Sequence, residues 1–193
     1  MWMKKVTVIM STYNTPKEYL DESINSVLNQ SYKNIEFIII CDGSVEDYNI
    51  VKSYKDNRIK VIYHEKNKGL PLSLNEAINI ATGDYIVRMD SDDISVYDRI
   101  EKQYKIITNE NYDIVGSNIS EFIGDEKNIV SKRVVPEYDK GIKEFLKDRC
   151  PMNHVTVMFK KQSVLNVDNY ESWLYNEDYY LWIKMYECGC SFY

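Results

Sequence analysis

Short apolar runs alternate with stretches of helical periodicity along the first half of the chain. Four runs rich in β-branched residues predict buried strands, at 6–10, 35–41, 60–63 and 85–89. Between them, apolar residues recur at helical spacing from Tyr19 to Leu28, at 45–54 and at 70–81. Thr15-Pro16-Lys17-Glu18 has the pattern of a capping box at the first helix. Strands that alternate with helices predict an α/β fold with a mostly parallel sheet and helices on both faces.

The second half of the chain is less regular. Helical periodicity predicts three more helices, at 97–108, 140–147 and 177–187. Apolar segments predict two strands and a hairpin, at 113–117, at 155–159, and at 119–123 with 129–135. The sequence contains no repeat, low-complexity tract or linker, so we expect a single domain over 1–193.

Polar residues follow three of the predicted strands, at the point where each strand ends. They are the segments 11–14, 42–44 and 90–93. Ligands of open parallel sheets bind at the carboxyl ends of the strands. We therefore expect these three segments to line one rim of the sheet.

The composition indicates what kind of protein this is and which partners are excluded. The chain has 193 residues, 44% hydrophobic residues and a net charge of -6, which is typical of a soluble globular domain and unsuited to nucleic acid. The first apolar run is too short for a signal peptide or a membrane span, so we expect a cytoplasmic location. The four cysteines are expected to be reduced thiols, and Cys188-Gly189-Cys190 to be a helix end capped by Gly189.

Three carboxylates follow the fourth predicted strand: Asp90, Asp92 and Asp93. Carboxylates this close repel one another unless a cation lies among them. A hard divalent ion, Mn²⁺ or Mg²⁺, would take carboxylate and phosphate oxygens as ligands. The alternative is an exposed acidic turn in which Asp93 caps the next helix.

Other candidate residues each have a functional and a structural interpretation. Tyr13 either stacks on a base or is a half-buried loop residue, and Asp42 either bonds a base or ribose or forms a turn before glycine. Arg88 lies in an apolar run and needs a carboxylate or a diphosphate as partner. Asp178 either caps the last helix or serves as a general base. A lone histidine such as His154 is more often structural.

The ordered set of these motifs resembles family 2 glycosyltransferases with the GT-A fold, a Rossmann-like nucleotide-diphospho-sugar transferase fold. The resemblance covers nearly the whole chain. It rests on six segments, at 6–14, 67–95, 98–99, 113–117, 153–159 and 177–182.

The resemblance implies a donor site, a metal and a base. The donor is a nucleotide-diphospho-sugar, with UDP as the expected nucleotide, held by Thr12, Tyr13, Asp42, Asn75, Arg88 and Asp90. Asp92 is the expected ligand of Mn²⁺ or Mg²⁺, with Asp90 second. Asp178 is the expected base in an inverting transfer to a hydroxyl of a carbohydrate or lipid-linked acceptor, in the synthesis of a surface polysaccharide or glycolipid. Residues 1–95 would bind the donor, and 96–193 would form the acceptor side.

Two departures from the family pattern keep a second hypothesis open. Cys41 stands where many members carry an aspartate that contacts the base, and the acceptor side is expected to be truncated at its C-terminus. The alternative is therefore a nucleotide-sugar-binding module with little or no transferase activity. A nucleotidyltransferase is disfavoured because 11–14 is not a glycine-rich loop. Peripheral association with the inner face of the membrane and the oligomeric state stay open.

Overall fold

A computed structural model describes residues 4–173 and 175–193. Within them lie eight strands: β1 Val6–Thr12, β2 Ile35–Asp42, β3 Ile59–His64, β4 Tyr85–Asp90, β5 Ile114–Val115, β6 Ile119–Phe122, β7 Ile129–Arg133 and β8 Met158–Lys160. The helices are α1 Lys17–Leu28, α2 Val45–Ser53, α3 Leu70–Ile80, α4 Arg99–Asn109, α5 Asp139–Phe145, α6 Lys161–Leu165 and α7 Glu177–Glu187, with a 3₁₀ turn at His154–Thr156.

Six strands form one twisted sheet in the order β3-β2-β1-β4-β8-β5. The first four are parallel, and β8 pairs antiparallel with both β4 and β5. The mostly parallel α/β sheet expected from the sequence is confirmed. The separate ribbon of β6 and β7 is the predicted hairpin.

The core is divided by the sheet into two layers. Ile38 and Ile40 point to the layer packed on α3 and α7, while Ile39 and Cys41 point to the layer packed on α1, α2 and α4. This alternation follows the two-residue period of a strand. Because both faces of the sheet are covered, its central strands are mostly apolar, which explains the hydrophobic runs in their sequences.

The predicted capping box at 15–18 is wrong. Helix α1 begins at Lys17 after Pro16, and no side chain caps it. The Thr15 hydroxyl instead lies 2.9 Å from that of Thr12 and 2.7 Å from that of Ser91. Those two contacts join the ends of β1 and β4, so Thr15 serves the rim of the sheet rather than the helix.

Several boundaries differ from the sequence prediction. Helix α4 begins at Arg99 rather than Tyr97, because the Tyr97 carbonyl accepts the amide of Ser31. The segment predicted as a strand at 155–159 is a 3₁₀ turn followed by β8, and α6 was not predicted. Asp93 does not cap α4, which starts six residues later.

The end of α7 has the geometry expected from the sequence. Gly189 has a φ of 78°, and the amide of Cys190 donates to the Met185 carbonyl at 3.0 Å. This is the left-handed helix end that glycine favours. All four cysteines are free thiols. Over 4–173 and 175–193, every helix is too short or too polar to cross a bilayer.

Candidate active site

The carboxyl ends of β1, β2 and β4 meet at one rim of the sheet, as the sequence predicts. Ser11 pairs in register with Asp90 on β4, and Thr12 pairs with Cys41 on β2. The hydroxyls of Thr12, Thr15 and Ser91 form a short chain across this rim. Residues 11–15 and the acidic turn at 90–93 are therefore held together by direct contacts.

Thr12 and Tyr13 differ in what they can offer a ligand. The Thr12 side chain is buried and donates to Asp47 Oδ2 at 2.6 Å, which ties β1 to α2. Tyr13 is 53% exposed, so its side chain is accessible to a ligand. Cys41 is fully buried beside Asp47, and burial is the main cause that raises the pKa of its thiol to about 12. Its thiol is turned away from solvent.

Asp42 occupies a buried polar junction at the end of β2. Its carboxylate lies 2.7 Å from His64 Nδ1 and accepts the backbone amides of Lys68 and Gly69 at 2.9 Å each. Burial favours a higher pKa for Asp42, but these hydrogen bonds outweigh it and hold the pKa below its ordinary value. The other ring nitrogen of His64 lies 2.8 Å from Glu76. Asp42 thus fixes the loop that precedes α3.

Sequence reasoning missed His64. Its position at the end of β3, in register with Asp42, was an available signal because parallel strand ends converge on the same rim. Asn75, expected near the donor, uses its side-chain amide to hold the Tyr170 backbone, with Nδ2 2.8 Å from the carbonyl and Oδ1 2.9 Å from the amide.

The acidic turn is balanced from inside by two buried arginines. Arg88 forms an ion pair with Asp90, and the Arg99 guanidinium donates to the Arg88 carbonyl at 2.8 Å. Burial and the charge of Arg88 lower the pKa of Arg99 to about 10. Burial, then the charges of Asp90 and Asp92, raise the pKa of Asp93. Asp92 is the exposed carboxylate of the turn.

The acidic turn suits a cation that also binds a phosphate. Among the residues that the structure describes, no three His, Cys, Asp or Glu side chains converge as a ready-made metal site. Mg²⁺-like ions usually take only one or two protein carboxylates and complete their shell with water and substrate phosphate oxygens. Exposed Asp92 and half-buried Asp90 match that donor set.

Asp178 lies in the first turn of α7, where the loop at 150–154 approaches it. Cys150 Sγ lies 3.6 Å from Asp178 Oδ2, and the Tyr179 amide donates to Oδ1 at 2.7 Å. Burial is the main cause that raises the pKa of the Tyr170 phenol. The same loop continues to β4, where the Val157 carbonyl accepts the Arg88 amide at 3.0 Å. The side chain expected as the base is therefore linked through this loop to the strand that carries the acidic turn.

His154 lies in the same region, in contact with the Tyr170 hydroxyl at 2.9 Å and with the edge of Trp182. Burial is the main cause that holds the pKa of His154 well below its ordinary value, and the nearby charge of Arg88 adds to it. A neutral imidazole here can accept a hydrogen bond from the Tyr170 hydroxyl, so the two side chains are hydrogen-bond partners of each other.

With this geometry established, similarity to known proteins decides the family. The family model described as glycosyl transferase family 2 matches residues 7–174. The chain belongs to glycosyl transferase family 2.

Two bacterial proteins are examples of the relatives that the chain resembles. An uncharacterized glycosyltransferase of Haemophilus influenzae is 36% identical over 190 residues, which are 96% of this chain and 70% of the relative. A UDP-Gal:α-D-GlcNAc-diphosphoundecaprenol β-1,3-galactosyltransferase of Escherichia coli is 34% identical over 195 residues, 97% of this chain and 70% of the relative.

A solved structure shows the fold. The mannosyltransferase of Pyrobaculum calidifontis, in complex with GDP-Man and Mn²⁺, has a TM-score of 0.73 at 16% identity and covers 99% of this chain. The chain in turn spans 54% of that structure's length. The family 2 member described here therefore has the GT-A fold, and it corresponds to a part of each longer relative.

Proposed function

We propose that this family 2 protein transfers a sugar from a UDP-sugar to a hydroxyl group, with inversion at the anomeric carbon and with help from a divalent cation. The observation that carries the proposal is that the segment 150–157 links Asp178 to the strand of the acidic turn, since the Cys150 thiol contacts Asp178 and the Val157 carbonyl accepts the Arg88 amide. The leaving diphosphate needs positive charge, and the attacking hydroxyl needs a base, at the same carbon. A cation held by the acidic turn would supply the first, and Asp178 would supply the second.

The donor nucleotide is proposed to lie on the rim formed by β1 and β2. Tyr13, whose side chain is exposed, stacks on the base, and Thr12 shapes the pocket floor through its bond to Asp47. Asp42 is proposed to act by holding the amides of Lys68 and Gly69 in place, because three hydrogen bonds already occupy its carboxylate. The E. coli relative that uses UDP-Gal supports uracil as the base.

Asp92 and Asp90 are proposed to hold the divalent cation. Mn²⁺ or Mg²⁺ bound there would neutralise charge that develops on the departing diphosphate. Arg88 orients Asp90 through its ion pair, and the buried Arg99 adds positive charge below the turn. The turn therefore presents Asp92 to solvent and keeps Asp90 fixed.

Asp178 is proposed as the general base. The acceptor oxygen attacks the anomeric carbon from the face opposite the diphosphate, and the bond between that carbon and the diphosphate oxygen breaks. The acceptor proton passes to an Asp178 oxygen, and the nucleoside diphosphate leaves. The Tyr179 amide fixes the carboxylate through Oδ1, whereas Oδ2 lies beside the weakly donating Cys150 thiol, so Oδ2 is proposed to take the proton.

The acceptor side is proposed to lie in 96–193, with 1–95 holding the donor. The acceptor is a carbohydrate or lipid-linked hydroxyl of a surface polysaccharide or glycolipid. The E. coli relative named for a diphosphoundecaprenol-linked acceptor supports this class. A cytoplasmic location, with peripheral contact to the inner face of the membrane, would bring the protein to such an acceptor.

Slow donor hydrolysis tests the proposal without knowledge of the acceptor. UDP-glucose, UDP-galactose, UDP-N-acetylglucosamine and GDP-mannose are each incubated with the protein and Mn²⁺, and release of the nucleoside diphosphate is measured. One donor should be hydrolysed, and Asp178→Asn should slow hydrolysis by ~10²–10⁴-fold, the usual worth of general-base catalysis. Glu187→Gln, at the other end of α7 on an exposed residue, is the matched control. A donor that binds but is not hydrolysed would favour the binding-module alternative.

A further inference from the structure

His64 closes a ring of contacts around the segment that precedes α3. Its Nδ1 lies 2.7 Å from Asp42 at the end of β2, and its Nε2 lies 2.8 Å from Glu76 in α3. Asp42 also accepts the backbone amides of Lys68 and Gly69. The ends of β2 and β3, helix α3 and the segment between them are therefore joined through one imidazole, and His64 is only 4% exposed.

The segment that His64 secures, 65–69, packs against the rim where the donor is proposed to bind. A Cβ atom on Gly43 would lie 2.5 Å from the Asn67 amide nitrogen, so the segment touches the backbone that follows Asp42. Gly43 has a φ of 91°, in the region that glycine enters without strain. A shift of this segment would therefore move the end of β2, which forms that rim together with β1.

The two partners of His64 decide how many ring protons the contacts need. Burial opposes ionisation of Asp42, but its hydrogen bonds outweigh burial and hold its pKa below the ordinary value. Glu76 is half-exposed and forms an ion pair with Lys68 at 3.6 Å. Ionised carboxylates only accept hydrogen bonds, and a neutral imidazole has a single N–H. Only the imidazolium form of His64 can therefore donate to both carboxylates.

We propose that His64 is a positioning residue for the donor site, and that it secures the segment 65–69 while both of its ring nitrogens carry a proton. The inference rests on the proposed function and deepens it. The charged groups in contact with His64 are Asp42 and Glu76, and Lys68 contacts Glu76 in turn. Loss of one ring proton leaves a nitrogen lone pair facing a carboxylate, so one contact is lost, the segment loosens and the donor binds more weakly.

The test compares donor affinity with the protonation of His64 in the same protein. The chain has two histidines, so labelling histidine with ¹⁵N gives two imidazoles whose ring protons are followed by NMR as the pH is raised. Burial is the main cause that holds the pKa of His154 well below its ordinary value, so His154 should stay neutral and serve as the reference. His64→Gln assigns the two sets of signals.

Donor affinity is measured by calorimetry with Mn²⁺ over the same pH range, using UDP-glucose, UDP-galactose, UDP-N-acetylglucosamine and GDP-mannose. Nucleotide sugars replace UDP here because a terminal phosphate itself titrates near neutral pH. The affinity of the preferred donor should fall by about tenfold, the worth of a buried hydrogen bond, at the pH where His64 loses a ring proton. His64→Gln reaches only one of the two carboxylates, so it should bind weakly at every pH.

Glu76→Gln separates positioning from a general effect on structure. A glutamine amide can donate as well as accept, so it can donate to the unprotonated nitrogen of a neutral His64 while the other nitrogen still donates to Asp42. This variant should bind the donor as the parent does in acid and keep that affinity as the pH rises. Glu110→Gln, exposed at the end of α4, is the matched control and should keep the pH dependence of the parent.

Three results would overturn the role of His64 while the proposed function stands. They are a donor affinity that stays level while His64 titrates, a His64 that is neutral wherever the donor binds, and the same loss of affinity in Glu76→Gln as in the parent. If His64 keeps both protons throughout, affinity should stay level and His64→Gln alone should weaken it; unchanged binding in His64→Gln would then overturn the role. If no nucleotide sugar in the panel binds at any pH, the proposed function fails and the inference fails with it.

Discussion

The Cys150 thiol lies 3.6 Å from the Asp178 carboxylate, close enough for a weak hydrogen bond to the proposed base. Burial is the main cause that raises the pKa of Cys150 to about 12, and the negative charge of Asp178 adds to it. Replacing Asp178 by Asn removes that charge, so the thiol pKa should fall and the thiolate fraction should rise. Iodoacetamide should therefore label Cys150 faster in Asp178→Asn, as followed by peptide mass spectrometry.

Exposed Cys188 is the internal reference for that experiment. Its labelling rate should be the same in both proteins, and Cys150 should stay slower than Cys188 because burial remains. Unchanged labelling of Cys150 would mean that Asp178 does not face the thiol.

Asp42 is expected to stabilise the fold in the absence of any ligand. Asp42→Ala strips two loop amides and His64 of their acceptor, and it should cost about 2–4 kcal/mol of unfolding free energy. Because the folded-state pKa of Asp42 lies below its ordinary value of 3.8, this stabilisation is complete above that value and is lost as the pH falls. Urea unfolding at pH 7 and pH 3 should show the gap between variant and parent narrowing in acid.

Glu76→Gln is the control for Asp42→Ala, since Glu76 contacts the same histidine from a half-exposed position. It should cost less at pH 7. An Asp42→Ala protein as stable as the parent, yet unable to bind UDP, would instead assign Asp42 to the nucleotide.

Asp93→Asn should stabilise the protein when no divalent cation is present. Burial and the charges of Asp90 and Asp92 raise the folded-state pKa of Asp93, so its contribution to stability is present in acid and is lost as the pH rises. The variant lacks that loss and should melt about 2–4 °C higher at pH 7, with no gain below pH 4. Glu110→Gln, exposed at the end of α4, controls for a general change in net charge. A lower melting temperature for Asp93→Asn at pH 7 would contradict the raised pKa of Asp93.

The periodicity of the first half of the chain predicted most of the fold. Runs such as 35–41 are apolar on both faces of the strand because both faces of the sheet are covered. Such a continuous apolar run predicts a buried strand without tertiary information. The rim also followed, since parallel strands with polar ends must bring those ends together. The prediction of a capping box was wrong because the Thr15 hydroxyl forms a hydrogen bond with that of Ser91, which is 76 residues away in sequence. Local patterns cannot anticipate competition from so distant a partner.

Side-chain environments were harder to predict than positions. Nothing near Asp42 in the sequence indicates that Lys68 and Gly69 would donate to it, because the contact depends on how the loop before α3 folds back. Arg88 was expected to need a carboxylate or a diphosphate, and the structure supplies Asp90. Among the residues that the structure describes, Arg88 Nε and Asn153 Oδ1 lack a hydrogen-bond partner, and the sequence could not predict this because it depends on which hydrogen bonds the folded chain leaves unmade.

Metal-dependent nucleotide binding tests the central claim, that the acidic turn at 90–93 holds a cation and a diphosphate together. UDP binding is measured by calorimetry with Mn²⁺ and with EDTA, for the parent, Asp92→Ala and Asp84→Ala. Asp84 just precedes β4, at the opposite end of the strand from Asp92, so it reports only a loss of surface charge. Mn²⁺ should tighten UDP binding by about tenfold or more in the parent and in Asp84→Ala, and Asp92→Ala should abolish that gain. Equal binding with Mn²⁺ and with EDTA, or a full Mn²⁺ effect in Asp92→Ala, would contradict the claim.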